Sequence, residues 1–292
     1  MTDIDFTQLR ASRAERPHAI AEALARRSRR GITEGDGRLM IVAADHPARG
    51  ALGVGSDAAA MSNREELLSR LVRALGRPGV DGVLATPDII DDLALLGALE
   101  NKVVVGSMNR GGLMGASFEM DDRFGAYDIP GIVRDGLDFA KTLTRINLGD
   151  AATASTLEAT AKAVSEAAAA KIPIMIEPFI SEWAEGKIRN SLTADAVILS
   201  ISISAGLGNS SAYTWLKIPV VDDMARVMAA TTLPTLLLGG DHKGELGDLM
   251  AQWSQALALP GVRGLVVGRS LLYPQSGDVE SAIDSAVNLV HG

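Results

Sequence analysis

Residues 213–240 read YTWLKIPVVDDMARVMAATTLPTLLLGG, and this stretch decides the fold. Tyr213, Thr214, Trp215, Ile218 and Val220 favour a strand. Residues 222–231 have helical composition, and Pro234 opens a second apolar run that stops at two glycines. A strand, a helix and a strand in close succession form a βαβ unit, whose strands lie parallel. One residue stands out. Lys217 sits in the middle of the first run, and an ammonium group is costly to bury unless it is paired.

The same rhythm runs along the chain from residue 39. The runs are LMIVAAD (39–45), GVLATP (82–87), KVVVGSMN (102–109), TLTRINL (142–148), IPIMIEP (172–178), 213–219, 234–240 and GLVVGRS (264–270). Ala- and Leu-rich helical stretches such as 155–170 and 222–231 separate most of them. Eight strands alternating with helices predict a single TIM (β/α)8 barrel of the α/β class over residues 39–292. Residues 1–38 are amphipathic and Arg-rich. They predict an N-terminal helical extension, either a solvated cap on one end of the barrel or a contact with a second copy. A doubly wound sheet would carry GxGxxG after its first strand. The glycines that follow the first run, Gly50, Gly53 and Gly55, have a different spacing.

The chain has 292 residues, a net charge of −8 and no basic run, which argues against nucleic acid or an anionic membrane as partner. A bound anion would have to meet local donors. The absence of cysteine excludes disulfides, a thiol nucleophile and Cys-based metal sites. His18, His46, His242 and His291 show neither HxH nor HxxxH spacing, so no metal and no cofactor are expected. No apolar run reaches about 18 residues and no secretory leader is seen, so a soluble cytoplasmic protein is expected.

Alternate residues of a barrel strand face the helices and the interior. Leu216 and Ile218 belong to the helix face, so Trp215 and Lys217 point inward. By the same parity Arg145 and Asn147 point inward on the fourth run, Met175 and Glu177 on the fifth, and Asp45 at the end of the first. All lie toward strand C-terminal ends, where barrel active sites sit. A buried ion-pair network would be the structural explanation of such a set. The chemical one starts from Lys217. A desolvated neutral amine attacks a carbonyl to form a Schiff base, and Glu177 and Asp45 are candidates to move the protons. The glycine-containing turns after the last two runs present Gly239, Gly240, Gly268 and Arg269, a set suited to phosphate. Arg49, Arg110, Lys243 and His46 are lesser candidates on the same loops.

The segments YTWLKIPVVDD, LLLGGDHKGE and VVGRSLLYP within residues 213–273 resemble the C-terminal half of archaeal-type class I fructose-bisphosphate aldolases and their DeoC/LacD-like relatives. The resemblance implies a metal-independent aldehyde-lyase in which Lys217 forms the Schiff base. It also implies that Gly239, Gly240, Gly268 and Arg269 grip a substrate phosphate, and that the protein is a homo-oligomer. AADHP at 43–47 resembles the family's strand-one DHG motif, which makes Asp45 an active-site acid. Three positions depart from the pattern. Glu177 stands where the family has a tyrosine, Ser270 where Asn is usual, and Pro47 in place of glycine. The chain also resembles an actinobacterial branch associated with inositol catabolism. That implies 5-dehydro-2-deoxygluconate 6-phosphate as substrate beside fructose 1,6-bisphosphate. Arg145, deep in the fourth strand, is placed to pair with a substrate carboxylate, and Asn147 is a further substrate-binding candidate. Two other readings stay open: a phosphosugar isomerase or epimerase with Glu177 as base, and a non-catalytic phosphosugar-binding barrel.

Overall fold

The computed structural model describes residues 4–109, 112–239 and 246–292. Gly240, Arg110, His242 and Lys243 lie outside the described residues. Among the described residues nine strands form one sheet: β1 (Leu39–Ala43), β2 (Gly82–Ala85), β3 (Val103–Ser107), β4 (Phe139–Ile146), β5 (Ile174–Ala184), β6 (Lys187–Asn190), β7 (Thr214–Pro219), β8 (Thr235–Leu238) and β9 (Val262–Val267). Eight of them are parallel, and the β4–β5 pairing closes them into a ring. The ninth, β6, runs antiparallel to β5 and lies outside the ring. This is the TIM barrel expected from the rhythm of the chain.

Helices α1 (Phe6–Glu15) and α2 (His18–Arg26) precede the barrel. Helices α3 (Arg64–Leu75), α4 (Pro87–Leu95), α5 (Ile129–Arg134), α6 (Ala152–Ala170), α7 (Ala194–Ala205), α8 (Met224–Ala229), α9 (Leu246–Leu257), α10 (Arg269–Leu272) and α11 (Val279–His291) follow the strands. Among the described residues no helix is long and apolar enough to cross a membrane.

Strand parity builds two separate apolar layers. Met40, Val42, Leu216 and Ile218 pack outward against the helices. Leu39, Ile41, Phe139, Met175 and Leu236 fill the barrel interior. Trp215 packs on that inner layer with its ring edge-on to Phe139, centroids 5.4 Å apart. The interior is therefore plugged with apolar side chains below, and polar ones are confined to the strand C-terminal ends.

At the Arg-rich end of the N-terminal extension Arg26 and Arg29 are exposed, but Arg27 and Arg30 turn inward. Arg27 is buried and spans the strand N-termini, donating to Asp138 Oδ2 at 2.8 Å, Gly136 O at 2.6 Å and Lys102 O at 3.0 Å. Asp138 also accepts the Val104 N–H at 2.9 Å, so one carboxylate joins the extension to β3. Arg30 pairs in the same way with Asp81, which accepts from Met40 N at 2.6 Å. Composition alone shows a polar helix. The two aspartates that begin their strands turn it into the floor of the barrel.

Removing one member of a buried ion pair leaves the other uncompensated, at about 3–5 kcal/mol. Arg27→Ala should lose stability of that order in denaturant unfolding. A loss under about 1 kcal/mol would mean that Arg29, exposed but 2.7 Å from Asp138, carries the contact instead.

Candidate active site

Three strands and one strand end supply the polar residues. On β4 the inward side chains are Phe139, Lys141, Leu143 and Arg145. On β5 they are Met175, Glu177 and Phe179, and on β7 Trp215, Lys217 and Pro219. Asp45 follows β1 at the same parity as Ile41 and Ala43. The upper members line one cavity of about 780 Å³ at the strand C-terminal ends.

Four charges of alternating sign form its floor. Lys217 Nζ donates to Glu177 Oε1 at 2.7 Å. Lys141 Nζ lies 2.5 Å from Glu177 Oε2 and 3.2 Å from Asp45 Oδ2. Ser107 Oγ donates to that same Asp45 oxygen at 2.9 Å. All four charged side chains are buried, and each touches an opposite charge, which makes the burial tolerable. Burial pushes the Glu177 carboxyl up, but the Lys141 and Lys217 ammonium groups outweigh it and hold the group down at about 2. Burial pushes the His46 imidazole down to about 3, with Asp45 pulling the other way and Arg269, Lys217 and Arg49 adding to the fall. His46 is thus neutral near pH 7. Its Nδ1 lies 3.8 Å from Asp45 Oδ1 and has no hydrogen-bond partner among the described residues.

Lys141 is the residue that the strand reading misses. A fourth strand begun at Thr142 leaves it out. The strand starts at Phe139, and the parity that turns Arg145 inward turns Lys141 inward as well. The signal is the longer run FAKTLTRI.

Arg145 lines the cavity, but its guanidinium is already committed. Nη1 donates to Glu119 Oε1 at 2.6 Å, and Nη2 to Glu119 O at 2.7 Å and Asp122 Oδ2 at 3.3 Å. The side chain pins the loop between β3 and α5 from inside the barrel. Thr156 on α6 holds the same loop from outside, accepting from Asp122 N and donating to Met120 O. Asn147 follows the end of β4 at Ile146 and is not among the described residues that line the cavity; its Oδ1 accepts from Gly149 N at 2.9 Å.

Gly239, Gly268 and Arg269 reach the cavity wall. Glycine is required at 268 for packing, because a Cβ there would lie 2.2 Å from Ala43 O of β1. Arg269 Nη1 donates to Gly53 O at 3.3 Å, tying the end of β9 to the loop after β1. The sequence reading also gives no hint that Lys187, Ile188, Arg189 and Asn190 of β6 would overhang the mouth.

The acid limb of stability follows from these shifts. Glu177 titrates at about 2 when folded against an ordinary 4.5, so its contribution is complete above 4.5 and fades as the pH falls through 2. The stability difference between wild type and Glu177→Gln should therefore shrink steadily from pH 5 to pH 2 in urea unfolding. A constant difference would show that the carboxylate is not held by the lysines.

The Cgl0159-like family profile matches residues 37–287. Among solved structures, the crystal structure of Cgl0159 from Corynebacterium glutamicum is 63% identical with a TM-score of 0.96, over 98% of this chain and 96% of that one. A Schiff-base-forming fructose-1,6-bisphosphate aldolase is 20% identical with a TM-score of 0.63, over 93% of this chain and 100% of that one. An archaeal fructose-1,6-bisphosphate aldolase, with its catalytic Lys bound to the carbinolamine intermediate of the substrate, is 20% identical with a TM-score of 0.64, over 94% and 100%. At that identity the likeness to the aldolases is one of fold. No curated protein matches the chain. A profile that runs from ahead of β1 into α11, together with a close relative over nearly the whole length, makes this chain a member of the Cgl0159-like family.

Proposed function

We propose that the chain is a class I aldolase that cleaves or forms a carbon–carbon bond in a phosphorylated keto sugar or sugar acid. The observation that carries this reading is the buried Lys217–Glu177–Lys141–Asp45 series on the cavity floor. The barrel's likeness to Schiff-base aldolases supports it.

Geometry separates the two lysines. Lys141 is bracketed by two carboxylates. Lys217 touches one, Glu177, across 2.7 Å. The neutral Lys217 amine attacks the ketone carbon, a C–N bond forms, and the carbonyl oxygen takes up a proton. Loss of water leaves an iminium ion that accepts the electron pair of the breaking C–C bond. Two of the three Lys217 ammonium protons end on the departing water, and Glu177, held as a carboxylate by Lys141, stays opposite the iminium charge on Lys217. Asp45 is the base for the substrate hydroxyl proton released on cleavage.

The phosphate would sit against Gly239, Gly268 and Arg269, where the Ser270 Oγ is buried without a partner among the described residues. Gly240 lies outside the described residues. 5-Dehydro-2-deoxygluconate 6-phosphate and fructose 1,6-bisphosphate are the substrates to assay first. Both yield dihydroxyacetone phosphate.

Incubation with dihydroxyacetone phosphate, borohydride reduction and peptide mapping should place a triose phosphate adduct on Lys217. Lys217→Ala should abolish both adduct and turnover. Lys141→Met should keep the adduct site while lowering kcat by about 10²–10⁴-fold. An adduct on Lys141, or no adduct from folded protein, would overturn the assignment.

A further inference from the structure

A second cavity, of about 530 Å³, lies outside the barrel ring between α2, α4 and α5, and shares no lining residue with the main one. Part of its wall is apolar. Pro17, Ile20, Ala21 and Leu24 recur every three or four residues, which places them on one side of α2, and Pro87 at the start of α4 joins them. From Pro17 to Leu24 this stripe runs about 10 Å at 1.5 Å per residue, enough to cover an aliphatic stem of about six carbons. The rest of the lining is acidic, with Asp91 on α4 and Asp128 and Asp135 at the two ends of α5 against the single cation Arg134.

Two of the three carboxylates are already used. Asp128 caps α5, accepting from Gly131 N at 2.7 Å. Asp135 accepts from Nε and Nη2 of Arg134, at 2.7 and 2.8 Å. Asp91 differs. Arg13 Nη1 stands 3.8 Å away, beyond hydrogen-bond reach, and Arg13 donates instead to Asp92 Oδ1 at 2.6 Å and Asp88 O at 2.8 Å. The Asp91 carboxylate accepts no hydrogen bond among the described residues. Burial pushes its carboxyl up, Arg13 offsets part of that, and Asp92, Asp135 and Asp88 add to the rise. Tyr127 is the second unused group. It is 6% exposed, it lines the cavity, and its ring lies against β3, where a Cβ on Gly106 would stand 2.8 Å from Tyr127 Cδ2. Its hydroxyl has no hydrogen-bond partner among the described residues, and of the charges around it Asp91 acts on it most strongly. A buried hydroxyl left unpaired costs stability that a ligand can restore.

We propose that this outer cavity binds a small primary aliphatic amine as its ammonium ion, with the cation held by Asp91 and the Tyr127 hydroxyl and the stem laid along the α2 stripe. The unused groups select this class. An ammonium group has three donors and can bond a carboxylate and a hydroxyl oxygen together. An anion would meet three aspartates instead. Among the described residues no three acidic or imidazole side chains are grouped so as to hold a metal ion, and an apolar stripe offers a metal no ligand. The inference does not rest on the aldolase reading, because none of the residues of the main cavity takes part in it.

Calorimetric titration of the whole chain near pH 7, where an alkylamine is protonated, tests it without turnover. The probes share one stem: n-hexylamine, n-hexanol and hexanoate. Wild type should bind hexylamine at a single site, about tenfold tighter than hexanol, and hexanoate more weakly than either. Asp91→Asn keeps the shape and removes the charge, so it should erase the advantage of hexylamine over hexanol. Tyr127→Phe keeps the ring against β3 and should weaken hexylamine about three- to fivefold. Ala21→Phe, at an exposed position of α2, fills the groove and should weaken hexylamine and hexanol alike. Thermal unfolding of each variant shows that it is folded before it is titrated, and the exposed Ala21 site keeps the test open should Tyr127→Phe unfold. Equal binding of hexylamine and hexanol by wild type would reduce the cavity to an apolar groove and overturn the proposal. So would hexylamine binding that survives both Asp91→Asn and Ala21→Phe, or no binding up to about 10 mM.

Discussion

Four buried charges in alternating order, Lys217, Glu177, Lys141 and Asp45, are the constraint around which the upper half of the barrel is organised. None of them is tolerable alone, since an unpaired ion in an apolar interior loses its hydration without replacement. Each must therefore arrive from its own strand at the right height. The β4–β5 ladder, which pairs Leu143 with Glu177 and Lys141 with Met175, and the β5–β7 ladder, which pairs Met175 with Trp215, set those heights. A slip of one residue in any of these strands would turn its charge into the helix layer. Ring closure and site assembly are the same event.

The two ends of the barrel use buried charge differently. At the strand N-termini, Arg27 and Arg30 meet Asp138 and Asp81, and the carboxylates also accept backbone N–H groups. None of these four residues lines the main cavity, and the network ties the N-terminal extension to β1 and β3. At the C-terminal ends the charges face a cavity of about 780 Å³ and leave room for a ligand. This division matches the general rule for the fold, in which the lower face is given to stability and the upper face to chemistry.

Between these layers, two segments at the mouth are held by side chains, the loop after β3 and the β5–β6 hairpin. Arg145 grips the loop after β3 through Glu119 and Asp122, and the Asn109 side chain pairs with both backbone groups of Leu143, which places it as an extra ladder partner beyond β3. Trp183 ties the hairpin to Asp150. Where the wall is held in this way it is preorganised, so a ligand need not spend binding energy on ordering it.

Much of this was written into strand parity. The eight runs, the inward turn of Lys217 and Glu177, and the position of Asp45 all follow from a period of two and from where apolar residues fall. Arg145 and Asn147 share that parity, yet only Arg145 reaches the cavity, because β4 stops at Ile146 and strand ends are set by neighbouring ladders rather than local preference. Lys141 has the right parity but lies three residues into a strand whose start, DFAK, looks like a turn. The partners of Arg27, the acids that occupy Arg145 and the overhang of the hairpin all join residues far apart in the chain. Such pairings depend on how the ring closes. Sequence by itself determined the repeating βα pattern and which side chains face inward, since both are local. Which inward charges meet, and which basic residues surround the mouth, only the tertiary structure decided, because those contacts exist only once β4 has closed against β5.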